Sequence, residues 1–277
     1  MERAAAVAAF AAEPGRAVPL ACAHPSASEG TACRAETREL EAAKLAALAE
    51  FAAGAGHEIN NPLATIVGRA QTLLKHEQDP GRRQSLATIA AQALRIRDMI
   101  GDLMVVARPP APLREKLILN DVVRTIVDRF EDAAREQSSS LTFHADATVF
   151  AAVDPTQLKV VLSELVRNSL DAVAPSSGDI RISAAATTID GRPFAVTIVS
   201  DNGRGLSETD RAHLFDPFYS GRDAGRGLGF GLCKCWRIVA NHGGWIDVES
   251  NPGVGTTFRV FWPGSDSAVE SAQPFCG

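Results

Sequence analysis

The chain reads as α+β: a helical hairpin followed by a two-layer α/β sandwich. Three observations predict this. Apolar residues step by three or four along two stretches, 45–73 and 86–107, joined by a short loop. A proline-rich break, Arg108-Pro-Pro-Ala-Pro112, ends the second stretch. Beyond it, segments of period two alternate with further helical ones up to about residue 261.

Composition narrows the classes. At 277 residues the expectation is about two domains. Hydrophobic residues at 45% and charged ones at 22% suit a globular protein. No apolar run reaches the roughly 18–20 residues of a membrane span. Residues 4–12 are apolar but short and follow Glu2, so they read as disordered or a weak helix rather than a signal peptide. A net charge of −5 gives no reason to expect nucleic-acid binding. Five cysteines, an odd count without a secretory signal, favour free thiols in the cytoplasm. Cys22, His24 and Cys33 lack a second ligand pair and read as scattered leader residues. Cys233 and Cys235 sit two apart on a predicted helix and so face different ways, as packing thiols.

Residues 1–35, rich in Ala and Pro, are too few for a core and are expected to be disordered. The hairpin domain spans 36–108. Its first seam is Leu45, Leu48, Ala52, Ala55, Ile59, Leu63, Ile66, Ala70 and Leu73. Asp79 caps the second helix and Pro80 opens it. Leu86, Ile89, Ala93, Ile96, Ile100, Leu103 and Ala107 then alternate three and four, a coiled-coil-like stripe. One hairpin cannot bury both sides of these stripes. Two hairpins in a four-helix bundle can, which predicts a homodimer.

Residues 109–113 form a short stiff linker. The second domain spans 114–265, with a loose tail at 266–277. Asn120 is expected to cap a helix to about 135. Strands follow at 141–145 and 149–153. Asp154-Pro155 opens a helix through 173. Segments 180–189 and 194–200 make a hairpin around Asp190-Gly191. A helix at 228–241 precedes a strand pair, 245–250 and 256–261, around Asn251-Pro252-Gly253; from 263 the chain turns polar and loose.

Three segments of this domain carry chemistry. The first runs from Glu164 through Asn168 to Asp171 on one helix, the second is Asp201-Asn-Gly203-Arg-Gly205, and the third is Gly225-Arg226-Gly227-Leu-Gly229-Phe-Gly231. A helical Asn can offer its side-chain oxygen to Mg²⁺. An Asp at a strand end can read the amino edge of adenine. Glycine-rich turns bring backbone N–H groups close to phosphates. Together they describe an ATP site with Mg²⁺.

A fourth element lies upstream, His57-Glu58-Ile-Asn-Asn61-Pro62. With Ala55 and Ile59 facing the core, at about 100° per residue His57 lies about 200° from Ala55, toward solvent. Asn61 lies about 40° from His57, one turn on. Glu58 is the next neighbour around the cylinder. Pro62 removes an N–H and should kink the helix. An exposed helical His is ordinarily only a solvated side chain.

In this order the segments resemble the N box, the two glycine boxes and, at Leu214-Phe215-Asp-Pro-Phe218-Tyr219, the F box of the histidine-kinase ATPase domain. That is the Bergerat fold, shared with gyrase and mismatch-repair ATPases. The upstream element resembles the H box of dimerising histidine kinases, in the group of the nitrogen-regulation kinases. The likeness spans roughly residues 40–265. It implies that Asn168 binds Mg²⁺, that Asp201 binds adenine beside Gly203 and Gly205, and that 207–226 forms a lid. Arg222 or Arg226 would supply the lid cation, and Gly227, Gly229 and Gly231 would face the triphosphate. Asp171 joins the nucleotide-contacting candidates. His57 would attack the γ-phosphate, Glu58 would take its proton or hold the productive tautomer, and Asn61 would position a water for dephosphorylating a partner. The phosphoryl group would pass to an Asp in a response-regulator receiver domain.

Position 164 departs from the commonest kinase pattern, which has Asn there. Glu164 resembles instead the water-activating carboxylate of chaperone and gyrase ATPases, and here it would meet Mg²⁺ through water or order the site. Three readings therefore stay open: a histidine kinase, a scaffold with a degenerate ATP lobe, and an ATPase using Glu164. The stimulus is also open, and input from a separate sensory protein is one source. So is the choice between phosphorylation within a chain and across a dimer.

Overall fold

The computed structural model describes residues 56, 58–219 and 229–270. The expected leader at 1–35 and residues 271–277 lie outside them. A first helix, α1, covers 58–74 and runs on through Pro62. A turn leads to α2, Pro80–Ala107. Asp79 caps it as expected, its Oδ2 accepting from the Arg82 amide at 2.8 Å, with Pro80 in the first turn. Arg83 ties the turn down by donating to the carbonyls of Leu74 (3.0 Å) and Glu77 (2.8 Å).

The hairpin buries only part of its apolar stripe. Leu63, Ala70, Ala93 and Ala107 are buried, whereas Ile59, Ile66, Leu73, Ile89 and Ile96 remain exposed. The exposed set falls on seam positions of both helices. Solvated isoleucines at regular seam positions are what a bundle partner would cover.

The second domain runs β1 (Glu115–Ile118), α3 (Leu119–Glu136), β2 (Ser140–His144), β3 (Thr148–Val153), α4 (Pro155–Ala172), β4 (Asp179–Ile189), β5 (Arg192–Asp201), α5 (Glu208–Ala212), α6 (Gly231–Asn241), β6 (Trp245–Asn251) and β7 (Gly255–Glu270). The sheet order is β1-β3-β7-β5-β4-β2, with β6 also on β7. Among the described residues only β2 and β4 pair in parallel. Helices α3, α4 and α6 lay apolar stripes on one face of the sheet. Leu119, Val123, Ile126, Leu158, Leu162, Leu165, Ile238 and Val239 meet Ile180, Ile182, Val199, Val260 and Trp262 in one buried core.

Three expectations need correcting. Asn120 does not cap α3, whose helical span already includes Leu119. Its buried amide instead donates to the Ala147 carbonyl (2.9 Å) and accepts from the Val149 amide (2.9 Å), pinning the β2–β3 turn. The tail expected to be loose from 263 continues as β7 to Glu270. There Gly264 pairs with Ala151 and Val269 with Val149. The final helix opens at Gly231, three residues later than predicted, because Gly229 takes φ +72°.

The proline linker is stitched down rather than free. The Leu113 amide donates to Asp154 Oδ2 at 2.9 Å, while the other oxygen of Asp154 caps α4. Burial would raise this carboxyl, but the amides of Gln157, Leu113 and Thr156 outweigh it and hold it low. Gln157 donates to the Pro110 carbonyl (3.1 Å), and Arg114 to that of Asn241 (3.0 Å). Beneath them His242 is fully buried. Its Nε2 accepts from the Asp154 amide at 3.1 Å, so its proton sits on Nδ1, toward the Ile238 carbonyl at 2.9 Å. Burial lowers its pKa and favours that neutral form.

Candidate active site

A cleft of about 310 Å³ opens between α4, the end of β5 and the start of α6. Asp201 terminates β5 at its inner wall. Its Oδ2 accepts from Ser169 Oγ (2.9 Å), and its Oδ1 from the amides of Gly203 (2.9 Å) and Thr256 (3.3 Å). Burial pushes the Asp201 carboxyl up, and these donors work against that shift. The arrangement is an acceptor of fixed direction at the base of the cleft.

Gly205 sits where a side chain cannot. Its φ is +69°, and a Cβ there would run into the backbone of Asn251 and Pro252. Gly229, at φ +72°, packs as tightly on the backbone of Phe218 and Tyr219. Residues 218–219 and Gly229 therefore lie against each other.

Helix α4 supplies Glu164, Asn168 and Asp171 to the cleft wall, and Gly205, Gly229 and Gly231 line it too. A Cβ on Gly231 would come within 3.0 Å of Glu164 Oε2. Glu164 is not a lone carboxylate. Its Oε1 pairs with Arg167 (3.0 Å) and with Lys234 (3.0 Å). Lys234 is buried and also reaches Asp102 Oδ1 on α2 at 2.6 Å. Burial pulls its ammonium down, but Glu164 and Asp102 outweigh that and hold it above the ordinary lysine range.

Sequence reasoning brought Glu164, Asn168, Asp171, Asp201, Gly203, Gly205, Gly229 and Gly231 to this region. It missed Ser169, Thr256, Lys234 and Asp102. His57, Arg222, Arg226 and Gly227 lie outside the described residues. Glu58 and Asn61 are exposed on α1, on the side periodicity gives them. Of the F-box segment, Leu214 is buried and Phe215 packs on the core, but Phe218 is exposed, edge-on to Phe230 at 4.7 Å. Tyr219 donates to Asp210 Oδ1 at 2.8 Å.

The cysteines face two ways. Cys235 enters the main core, and Cys233 packs with Val106 and Phe230. Burial pushes the Cys233 thiol up to about 11 and that of Cys235 higher still, so neither is a nucleophile. Among the described residues no group of three His, Cys, Asp or Glu side chains converges on a metal. No helix among them is long and apolar enough to cross a membrane.

Two family models match the chain. Residues 47–112 fit the His Kinase A (phospho-acceptor) domain, and residues 153–266 fit the histidine kinase-, DNA gyrase B- and HSP90-like ATPase. Sensor histidine kinase ZraS of Klebsiella oxytoca is 34% identical over 222 residues, 79% of this chain and 47% of that one. Sensory histidine kinase/phosphatase NtrB of Escherichia coli is 30% identical over 236 residues, 83% of this chain and 66% of that one. The chain belongs to the sensor histidine kinases. This histidine kinase spans about half the length of the first curated relatives it matches, 47% and 50% of two of them. Its fold is shared with the histidine kinase ThkA, solved in complex with response regulator protein TrrA. There the TM-score is 0.58 at 24% identity, over 86% of this chain and 68% of ThkA. The ATPase match covers every residue that lines the cleft except Asp102.

Proposed function

We propose that this chain is an ATP-dependent protein histidine kinase that phosphorylates itself on His57 and passes the phosphoryl group to an Asp of a response-regulator receiver domain. The observation that carries the reading is Asp201, a carboxylate fixed by three donors at the base of a cleft. On α4, Asn168 directly precedes the Ser169 partner of Asp201, and Glu164 stands one turn before Asn168.

The donor set fits Mg²⁺. Asn168 and Glu164 stand one turn apart on α4 and both line the cleft, and hard oxygen ligands suit that ion. Asn168 would hold it, with Glu164 close by. Bound there, Mg²⁺ would neutralise charge on the phosphates. Asp201 accepts from the adenine amine. The amides at the start of α6 face the phosphates. A neutral His57 attacks the γ-phosphorus with one ring nitrogen, the bond to the β-phosphate oxygen breaks, and ADP departs. Glu58 takes the proton from the ring. Asn61, exposed on α1, would orient a water, which would give the chain a phosphatase activity as well. Free buried thiols and an ATP substrate both suit the cytoplasm.

The test uses the purified chain with γ-labelled ATP and Mg²⁺. Acid-labile, alkali-stable label is expected on the chain and should vanish in His57→Ala, then transfer to a receiver domain. ATP turnover without label, lost in Glu164→Ala, would replace the kinase reading with an ATPase. Glu164 already shares one oxygen between two cations, which argues against it as a water-activating base.

We also propose a homodimer built on the exposed seam of Ile59, Ile66, Leu73, Ile89 and Ile96. Sedimentation should give a dimer, and Ile66→Glu should return the chain to a monomer by burying a charge in the seam. A monomeric wild-type chain would refute the bundle.

A further inference from the structure

Helix α2 of the hairpin places a carboxylate in the wall of the ATP cleft. Asp102 lines the cleft together with Glu164 and Asn168. Lys234 lies between the two acids, 2.6 Å from Asp102 Oδ1 and 3.0 Å from Glu164 Oε1. The side chains of Lys234 and Glu164 are 7% and 14% exposed, that of Asp102 37%. Around this bridge, Val106 packs on Phe230 and Cys233, and Arg237 Nε donates to the Val106 carbonyl at 3.1 Å. A Cβ on Gly56 would meet Ile100 at 3.7 Å and Met104 at 3.9 Å, so the two helices of the hairpin pack closely there.

We propose that Lys234 is an exchangeable clasp: it holds the hairpin against the ATP domain through Asp102, and the triphosphate of an incoming nucleotide competes with Asp102 for it. This rests on the reading of the cleft as an ATP site. With α2 docked, Asp102 and Glu164 balance Lys234 and Arg167 within this bridge, in a cleft whose lining also carries Asp171, Asp201, Asp210 and Arg204 and is net negative. With α2 withdrawn, one negative charge leaves: the bridge becomes net positive and the cleft lining less negative by one charge. A triphosphate carries several negative charges, so it binds better to the undocked wall. Linkage then requires the converse, that nucleotide weakens docking by the same factor. A lysine suits the exchange. Its ammonium is a point charge on a flexible stem and can turn from one anion to another without moving α6. Releasing Asp102 leaves Lys234 paired with Glu164 alone, and the three donors of its ammonium leave room for a second anion. Lys234 is thus a positioning residue, acting through Glu164 and the phosphates.

The experiment is calorimetric titration of the full chain with two probes, a non-hydrolysable ATP analogue plus Mg²⁺, and adenosine alone. Asp102→Asn should tighten the analogue about three- to tenfold, given the partial exposure of Asp102, and leave adenosine unchanged. Lys234→Met should weaken the analogue, and adding Asp102→Asn to it should restore nothing. Unchanged or weaker analogue binding in Asp102→Asn overturns the clasp, as does an equal gain for adenosine. A gain that persists in full beside Lys234→Met means plain repulsion and overturns the exchange. Should Lys234→Met not fold, Lys234→Gln takes its place, alone and beside Asp102→Asn, with the same outcomes deciding. A wild-type chain that binds neither probe sinks the ATP reading and the clasp with it, whereas binding with a flat Asp102→Asn response sinks the clasp only.

Discussion

Asp201→Asn is expected to weaken ATP binding by about 100-fold, the value of a hydrogen bond to a charged group in a closed site. The argument is directional. Oδ1 is fixed as an acceptor by two backbone amides, from Gly203 and Thr256. An asparagine must therefore keep its oxygen there and turn its NH₂ toward the Oδ2 position. Ser169 tolerates this, because its hydroxyl can rotate to accept instead. The adenine amine does not, because it now meets a donor. The fold survives while the nucleotide is lost. Calorimetry for binding and thermal melting for stability separate the two. A loss below about fivefold, with normal melting, would remove Asp201 from the adenine contact.

Gly205→Ala is expected to cost about 3–5 kcal/mol, which lowers the melting temperature by roughly 6–20 °C in a domain of this size. Two penalties combine. The backbone at φ +69° is left-handed, and the added Cβ meets main chain on both Asn251 and Pro252, which no rotamer change relieves. The turn cannot yield easily either, since the Gly253 amide donates to the Arg204 carbonyl (2.7 Å) and the Leu206 amide to Ser250 Oγ (2.9 Å). Gly191→Ala is the control. Its φ is +74°, but its Cβ would enter open space, so only the backbone term of about 1 kcal/mol applies. Equal melting temperatures for the two variants would refute the collision.

Much of this site was legible because its parts are local. Asp79-Pro80 and Asp154-Pro155 both cap helices where the dipeptides say they should. Asp190-Gly191 turns the β4–β5 hairpin with both residues at positive φ, as a tight two-residue turn requires. What failed to show was pairing between distant segments. Asn120 looked like a cap because an Asx residue precedes an apolar period, yet its partners are 27 and 29 residues away. The end of β7 looked loose because Pro263-Gly264 interrupts the alternation, and its strand partner β3 lies more than a hundred residues earlier. Lys234 did leave a signal. It falls on the buried stripe of α6 with Cys235, Ile238 and Val239, and a charge on such a stripe demands a partner. Periodicity shows the demand but not that Asp102 and Glu164 meet it.

The central place of β7 has a consequence for synthesis. This strand pairs with β3, β5 and β6, and it is the last strand of the described chain to be made. At about 5–20 residues per second, it follows β3 off the ribosome by roughly 5–20 seconds. Until then β3 and β5 have no neighbour on that side, and the edge they present invites pairing with other chains. The helical hairpin needs no such wait, since its contacts are close in sequence and form early. Each nascent chain therefore offers a folded hairpin while its nucleotide domain is still an open sheet.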